Sequence, residues 1–250
     1  SVSIKDQAVR YHSVDSEQIV VTGTLHYDKY VLDERTSRET FFRELGFDPS
    51  KKLILLTIPS DIWTGNASLS HYLLNIFSQL NDQIIVRFPL FGKVDIGDFK
   101  PAQTMVFDNP YNSDRLEESR LSISDDDHLA DLIYHSDVVV TGPSSIILDA
   151  SIFNKPIVLI GFDGEEARPY GQSMARYYDY EHQQLAILSG GMKVAKDRDQ
   201  LINLVLEYLA NPDLDNKGRR QVAENICFKL DGQSGLRLAQ LIWNTLTPKK

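Results

Sequence analysis

The stretch "SDVVVTGPSSIILDA" (136–150) brings Gly142, Ser144, Ser145 and Asp149 close together. Gly142 and Pro143 break an apolar run. Ser144 is a favoured N-cap type, and Ser145 falls in the first turn of the helix that follows, where backbone N–H groups have no intrahelical partner. Amides at the positive end of a helix dipole attract an anion such as a diphosphate. Asp149, four residues after Ser145, lies on the same face one turn along, placed to accept hydrogen bonds from vicinal hydroxyls such as those of a ribose. The same residues serve equally as a plain cap with a dipole-stabilising carboxylate. The stretch is neither G-x-G-x-x-G nor a Walker A loop, so its pattern assigns neither NAD nor ATP. No G-x-S-x-G elbow is present to make either serine a nucleophile.

Other residues could add to such a site. In "IVRFPLFGK" (85–93), Arg87 ends an apolar run and places a cation where the chain turns, either for a ligand or as a surface arginine. The loop "TIPSDIWTGN" (57–66), with Pro59, Ser60 and Gly65, either brings amides to a ligand or only turns the chain. "YYDYEHQQ" (177–184) carries His182 in a polar region shared with Glu165, Glu166, Arg168 and Asp179. The three aspartates of "SISDDDHLADL" (122–132) read as a solvated helix N-terminus, with no His or Glu cluster behind them. Histidines 12, 26, 71, 128, 135 and 182 show no zinc spacing. No metal site is therefore expected, and no cofactor.

The elements that must position these residues follow from hydrophobic patterning. "KLILLTI" (52–58), "QIIVRF" (83–88), "TMVF" (104–107), "DVVVT" (137–141) and "PIVLIGF" (156–162) are mostly unbroken apolar runs, which suit strands covered on both faces. Helical periods lie between and after them, at "TSRETFFRELG" with a Thr36-x-x-Glu39 capping box, "SLSHYLLNIFSQL", "DDDHLADLIYH", "SSIILDASIF" and "DRDQLINLVLEYLANP". This alternation predicts an α/β fold, a Rossmann-like doubly wound parallel sheet flanked by helices, with ligands at the carboxyl ends of the strands. Before it, "IKDQAVRYHSV" reads as a helix and "QIVVTGT" as a strand. After it, "DGQSGLRLAQLIWNTL" reads as an amphipathic helix from about Gln233 whose apolar residues need a surface to cover.

With 250 residues, 42% of them hydrophobic, the chain can bury a full core. The net charge of −9, with scattered cations, argues against a nucleic-acid partner but leaves room for a small anion held by local amides and arginines. No run approaches a membrane span, no signal-peptide core is visible, and Cys227 is the only cysteine. A cytoplasmic location is expected.

Four segments in order, "IVVTGTLHYD" (19–28), "FFRELGFDPSKKLILLT" (41–57), "SDVVVTGPSSIILDASIFNKPIVLI" (136–160) and "LDGQSGLRLAQLI" (230–242), resemble the C-terminal, donor-nucleotide-binding half of GT-B-type glycosyltransferases. In particular they resemble the CDP-glycerol glycerophosphotransferase family and its relatives near UDP-N-acetylglucosamine 2-epimerase. The resemblance implies that Ser144 and Ser145 hold the donor's diphosphate, with Gly142 allowing close approach; Arg87, from its own place at a strand end, is expected to add charge there. It assigns the ribose hydroxyls to Asp149 and the base to the segment around Ile123 and Ser124. It divides the chain into 1–35, the end of an N-terminal domain with its linker, 36–232, the nucleotide-binding domain, and 233–250, a helix crossing back.

The partners implied are a nucleotide-activated sugar or polyol donor, an N-terminal acceptor domain outside this chain, and the inner face of the membrane as a peripheral site for the full enzyme. The expected activity is metal-independent transfer of a sugar or polyol phosphate to a cell-envelope or capsular polysaccharide, with this chain alone catalysing little. A nucleotide-sugar epimerase or hydrolase, and a non-catalytic scaffold domain, are the alternatives. One departure bears on the chemistry: where the family often has Lys or Arg before a His-Pro pair, this chain has Arg87, Phe88 and Pro89.

Overall fold

The computed structural model of the protein describes residues 1–32, 34–90, 92, 94–110 and 123–247, without the side chains of Ile62, Trp63, Ala67, Ile123 and Ser124. Six strands, β1 (Leu53–Thr57), β2 (Gln83–Arg87), β3 (Met105–Asp108), β4 (Val138–Thr141), β5 (Ile157–Ile160) and β6 (Lys193–Ala195), form one sheet. Their order is β3-β2-β1-β4-β5-β6 and every neighbouring pair is parallel. In register, Leu55 of β1 lies between Ile85 of β2 and Val139 of β4. All residues of β1, β2, β4 and β5 are buried, which is why these runs are apolar without alternation.

Eleven α-helices complete the described chain: α1 (Val2–His12), α2 (Asp28–Leu32), α3 (Arg38–Glu44), α4 (Asp61–Thr64), α5 (Ala67–Phe77), α6 (Ile123–His135), α7 (Ile146–Ile152), α8 (Glu181–Ile187), α9 (Arg198–Ala210), α10 (Asn216–Val222) and α11 (Ser234–Leu246). Successive residues of β1 serve opposite faces of the sheet. Ile54 and Leu56 meet Leu73 and Phe77 of α5 and Leu201 and Val205 of α9, while Leu53 and Leu55 meet Phe42 of α3, Ile133 of α6 and Ile147 of α7. The chain runs outward from β1 to β3 and then returns to build β4 to β6 on the other side. The crevice between the carboxyl ends of β1 and β4 is thus the topological switch point, where open α/β sheets bind ligands.

Several local expectations are corrected. "QIVVTGT" is not a strand: a single 3₁₀ turn at Ser16–Gln18 precedes an irregular stretch over residues 19–24. Its carbonyls are met by side chains, with the Lys5 ammonium donating to Ile19 O at 3.0 Å and Arg237 Nε to Thr22 O at 2.7 Å. Ser37, not Thr36, caps α3, accepting from the Thr40 amide at 3.2 Å, while the Thr36 hydroxyl donates to Asp131 at 2.9 Å. α7 begins one residue later than read, with Ser145 as N-cap. β6, absent from the sequence reading, is a three-residue edge strand too short to show a pattern. Leu236, Ile242, Trp243 and Leu246 leave an exposed apolar face on α11. No helix among the described residues is long and apolar enough to cross a membrane.

Candidate functional site

A cleft of about 680 Å³ opens at the switch point, within the range of small-molecule sites. Its floor is the carboxyl end of the sheet, where the Thr57 hydroxyl of β1 bonds the Thr141 hydroxyl of β4 at 2.6 Å. Around the floor stand Pro59 and Ser60 after β1, Arg87, Phe88 and Pro89 at the end of β2, the turn Gly142–Ser145 after β4, and Gln183 of α8. No carboxylate lines it among the described residues.

Gly142, Ser144, Ser145 and Arg87 are therefore brought together. A Cβ on Gly142 would meet Met174 Cε at 3.5 Å and Pro59 Cβ at 3.8 Å, ordinary contacts, so no protein atom demands glycine there and only the approach of another molecule would. The Ser144 hydroxyl accepts from the Ile146 amide at 3.3 Å. Ser145, although the N-cap, makes no side-chain cap bond, and it is an exposed residue of the cleft lining. Within the described residues the amides of Ser144 and Ser145 have no hydrogen-bond acceptor.

Arg87 is 5% exposed, and its guanidinium donates to Asp108, its register partner on β3, at 2.5 Å. Asp108 also meets His128 Nε2 at 3.0 Å. Burial raises the Asp108 carboxyl's pKa, but hydrogen bonds from His128 and Arg87 and their charges outweigh it and hold the group below the ordinary carboxylate range. The cation expected to face a diphosphate is thus already partly neutralised by its neighbour.

Asp149 does not join the others. It is buried away from the cleft, bonded by the Tyr30 hydroxyl of α2, with His26 Nε2 at 3.9 Å. Burial pushes its carboxyl up to about 7; the Tyr30 hydrogen bond opposes this and the charge of Asp126 adds to it. Helical spacing put Asp149 near the Ser145 face, but residues 25–30, from far away in the chain, cover it. Ile123 and Ser124 begin α6, and their side chains lie outside the described residues.

The loop carboxylates fall elsewhere. Asp179 accepts from the Tyr170 hydroxyl at 2.5 Å on the surface, and Glu165 borders a separate hollow beside Asp163 at the ends of β5 and β6. No group of three or more His, Cys, Asp or Glu residues that could hold a metal occurs among the described residues. Ser60 and Gln183 are two polar lining residues whose side chains carried no role in the sequence reading. Ser60 was visible only as part of a turn, and Gln183 only as a neighbour of His182.

The sheet order and the cleft define a Rossmann-like protein of the GT-B C-terminal type. Solved structures share this fold. The chain is similar to UDP-GlcNAc 2-epimerase from Neisseria meningitidis bound to UDP-GlcNAc, with TM-score 0.58 and 14% identity over 98% of this chain and 60% of that one. It is similar too to Methanocaldococcus jannaschii UDP-GlcNAc 2-epimerase in complex with UDP-GlcNAc and UDP, with TM-score 0.58 and 15% identity over 96% of this chain and 58% of that one.

Residues 102–244, more than half of the chain, match the family described as CDP-Glycerol:Poly(glycerophosphate) glycerophosphotransferase, and the chain belongs to that family. It is 24% identical over 253 aligned positions to the teichoic acid poly(ribitol-phosphate) polymerase of Bacillus spizizenii, covering 91% of this chain. The chain spans 37% of the length of that relative.

Proposed function

We propose that this chain is the donor-binding half of a transferase that moves a polyol phosphate from a nucleoside diphosphate donor to a cell-envelope polymer. The observation that carries the reading is the cleft at the switch point, where two amides unpaired among the described residues meet Ser145 and Arg87, and where no described carboxylate lines the wall. With such a donor the bond that breaks is the one from the outer phosphorus to the oxygen bridging the two phosphorus atoms. The acceptor hydroxyl attacks the outer phosphorus, loses its proton to a base, and a nucleoside monophosphate leaves. The role proposed for Gly142, Ser144, Ser145 and Arg87 is to hold the phosphates and to offset charge growing on the leaving group, with no metal in the scheme. Ser144 contributes through its amide, since its hydroxyl already caps α7.

In this scheme the base of the nucleotide lies toward the start of α6 at Ile123 and Ser124, and Asp149 takes the ribose hydroxyls. That contact requires Tyr30 to give way, because its hydroxyl occupies the carboxylate. The acceptor and the base that activates it belong to another domain, reached through residues 1–35 and 233–250, and the full enzyme works in the cytoplasm at the inner face of the membrane. The epimerase or hydrolase alternative needs carboxylates converging on the sugar, and Glu165, Glu166 and Asp179 do not line the cleft.

Calorimetry with CDP, UDP, GDP and CMP tests the reading. The wild type should bind at least one nucleoside diphosphate, and Ser145→Ala should weaken it about tenfold, the loss of one charge-assisted hydrogen bond. Absence of binding at millimolar concentration by all four would sink the proposal.

A further inference from the structure

Two residues of the cleft lining carry a buried polar atom that has no partner among the described residues: the Ser60 hydroxyl oxygen and Gln183 Oε1. The residues are only 5% and 8% exposed. An unpaired buried polar atom is costly and rare enough to require an explanation. Ser60 makes the case sharper, because it is the N-cap of α4 and yet its hydroxyl makes no cap bond. The side chain forgoes the partner its position offers, and the residue lines the cleft instead.

The chemistry of the two atoms restricts what they can meet. An amide oxygen only accepts, and the oxygens of an ionised diphosphate only accept, so Gln183 Oε1 gains nothing from the phosphates. It needs an O–H or N–H donor, while the Ser60 hydroxyl can donate or accept. The wall carries apolar residues, Met174, Ala186 and Ile226 among them, beside uncharged hydroxyl residues such as Thr57, Thr64 and Thr141, and Arg87 is the one Lys or Arg lining the cleft among the described residues. That surface suits an uncharged group carrying hydroxyls and does not suit a further phosphate.

Building on the donor reading above, we infer that Ser60 and Gln183 recognise the hydroxyls of the polyol being transferred. They are specificity residues, remote from the bond that breaks; both unpaired atoms are sealed from solvent without ligand, so each side chain turns into the cleft it lines when a polyol-bearing donor binds. A site built to bond a hydroxyl rejects an analogue that lacks it, because its own polar atoms are then left buried and unpaired.

Titration calorimetry on the full chain with four ligands, CDP, CDP-glycerol, UDP and UDP-N-acetylglucosamine, tests this against Ser60→Ala and Gln183→Met. The wild type should hold CDP-glycerol about tenfold more tightly than CDP. Each variant should lose most of that preference while its affinity for CDP stays within about twofold. Both variants should melt at or above the wild-type temperature without ligand, since each removes an unsatisfied buried atom. Equal losses for CDP and CDP-glycerol, or a variant that melts several degrees lower, would give these residues a structural role and overturn the assignment. A preference for UDP-N-acetylglucosamine over UDP that vanishes in the same variants would overturn the polyol and point to a sugar. If the wild type binds none of the four, the donor reading itself fails and this assignment falls with it, a result distinct from the others.

Discussion

Ser144 and Ser145 are adjacent and identical in type, yet their hydroxyls do different things. Ser144 accepts the Ile146 amide, while Ser145 makes no cap bond and lines the cleft. Ser144→Ala should therefore destabilise the protein by about 1 kcal/mol, the ordinary cost of losing a helix cap, as read from the urea midpoint. Ser145→Ala should change it by less than about 0.5 kcal/mol. A reversed ranking would mean that the Ser145 hydroxyl, and not that of Ser144, holds the start of α7. Asp149 gives a prediction in pH. Its carboxyl is pushed up to about 7 when folded, chiefly by burial, and returns to about 4 when unfolded. The folded state thus holds a proton that the unfolded state releases. The contribution of this proton to stability is complete below about pH 4 and is lost as pH rises to about 7. Asp149→Asn keeps an acceptor for Tyr30 and removes the titration. It should melt close to the wild type at pH 4 and several degrees above it at pH 8; a difference independent of pH would show that the carboxyl ionises freely in the fold. The types of these residues were legible in the sequence. The destination of Asp149 was not, because the residues that cover it, Tyr27 and Tyr30, lie more than a hundred positions away.

At the scale of elements, what could be read was what neighbouring residues decide. The five apolar runs became β1 to β5, since a strand buried on both faces needs nothing but apolar residues between turns. "QIVVTGT" is also apolar at its centre and is not a strand: it joins no strand of the sheet, and Lys5 and Arg237 take the carbonyls of Ile19 and Thr22. The start of α11 shows the same dependence on distant partners. Its own N-cap, Gln233, makes no side-chain bond, and Asp28 does the capping from α2, accepting from the Ser234 amide at 3.1 Å and the Gly235 amide at 2.9 Å. The contact is close enough that a Cβ on nearby Gly23 would come within 2.3 Å of the Ser234 hydroxyl. Asp28→Ala should cost about 1–2 kcal/mol, two hydrogen bonds at a helix start. Hydrogen exchange should quicken in the first turn of α11 and leave β1 unchanged. Equal quickening in both would show that α11 and the sheet unfold as one unit.

At the scale of the molecule, the βα alternation sufficed to predict a doubly wound sheet and the end at which its cleft would open, because right-handed crossovers leave few other ways to cover a parallel sheet. The composition of the cleft was beyond that reasoning. It depends on which side chains turn inward from six separate segments, and it decides what the chain can do alone. An acceptor hydroxyl must give up a proton during transfer. No carboxylate lines the cleft among the described residues, and Asp108, the acid nearest to Arg87, is committed to Arg87 and His128. The one imidazole in the described lining is His182, on an exposed rim. The chain should therefore bind a nucleoside diphosphate donor and yet release no nucleoside monophosphate above background when CDP-glycerol and an acceptor polymer are supplied together. Chromatographic detection of CMP measures this directly. If release is observed, His182→Ala separates the two explanations that matter. Loss of release in that variant would place the activating base on this chain and refute its assignment to another domain, whereas unchanged release would leave His182 outside the chemistry and turn the search to residues 91–124.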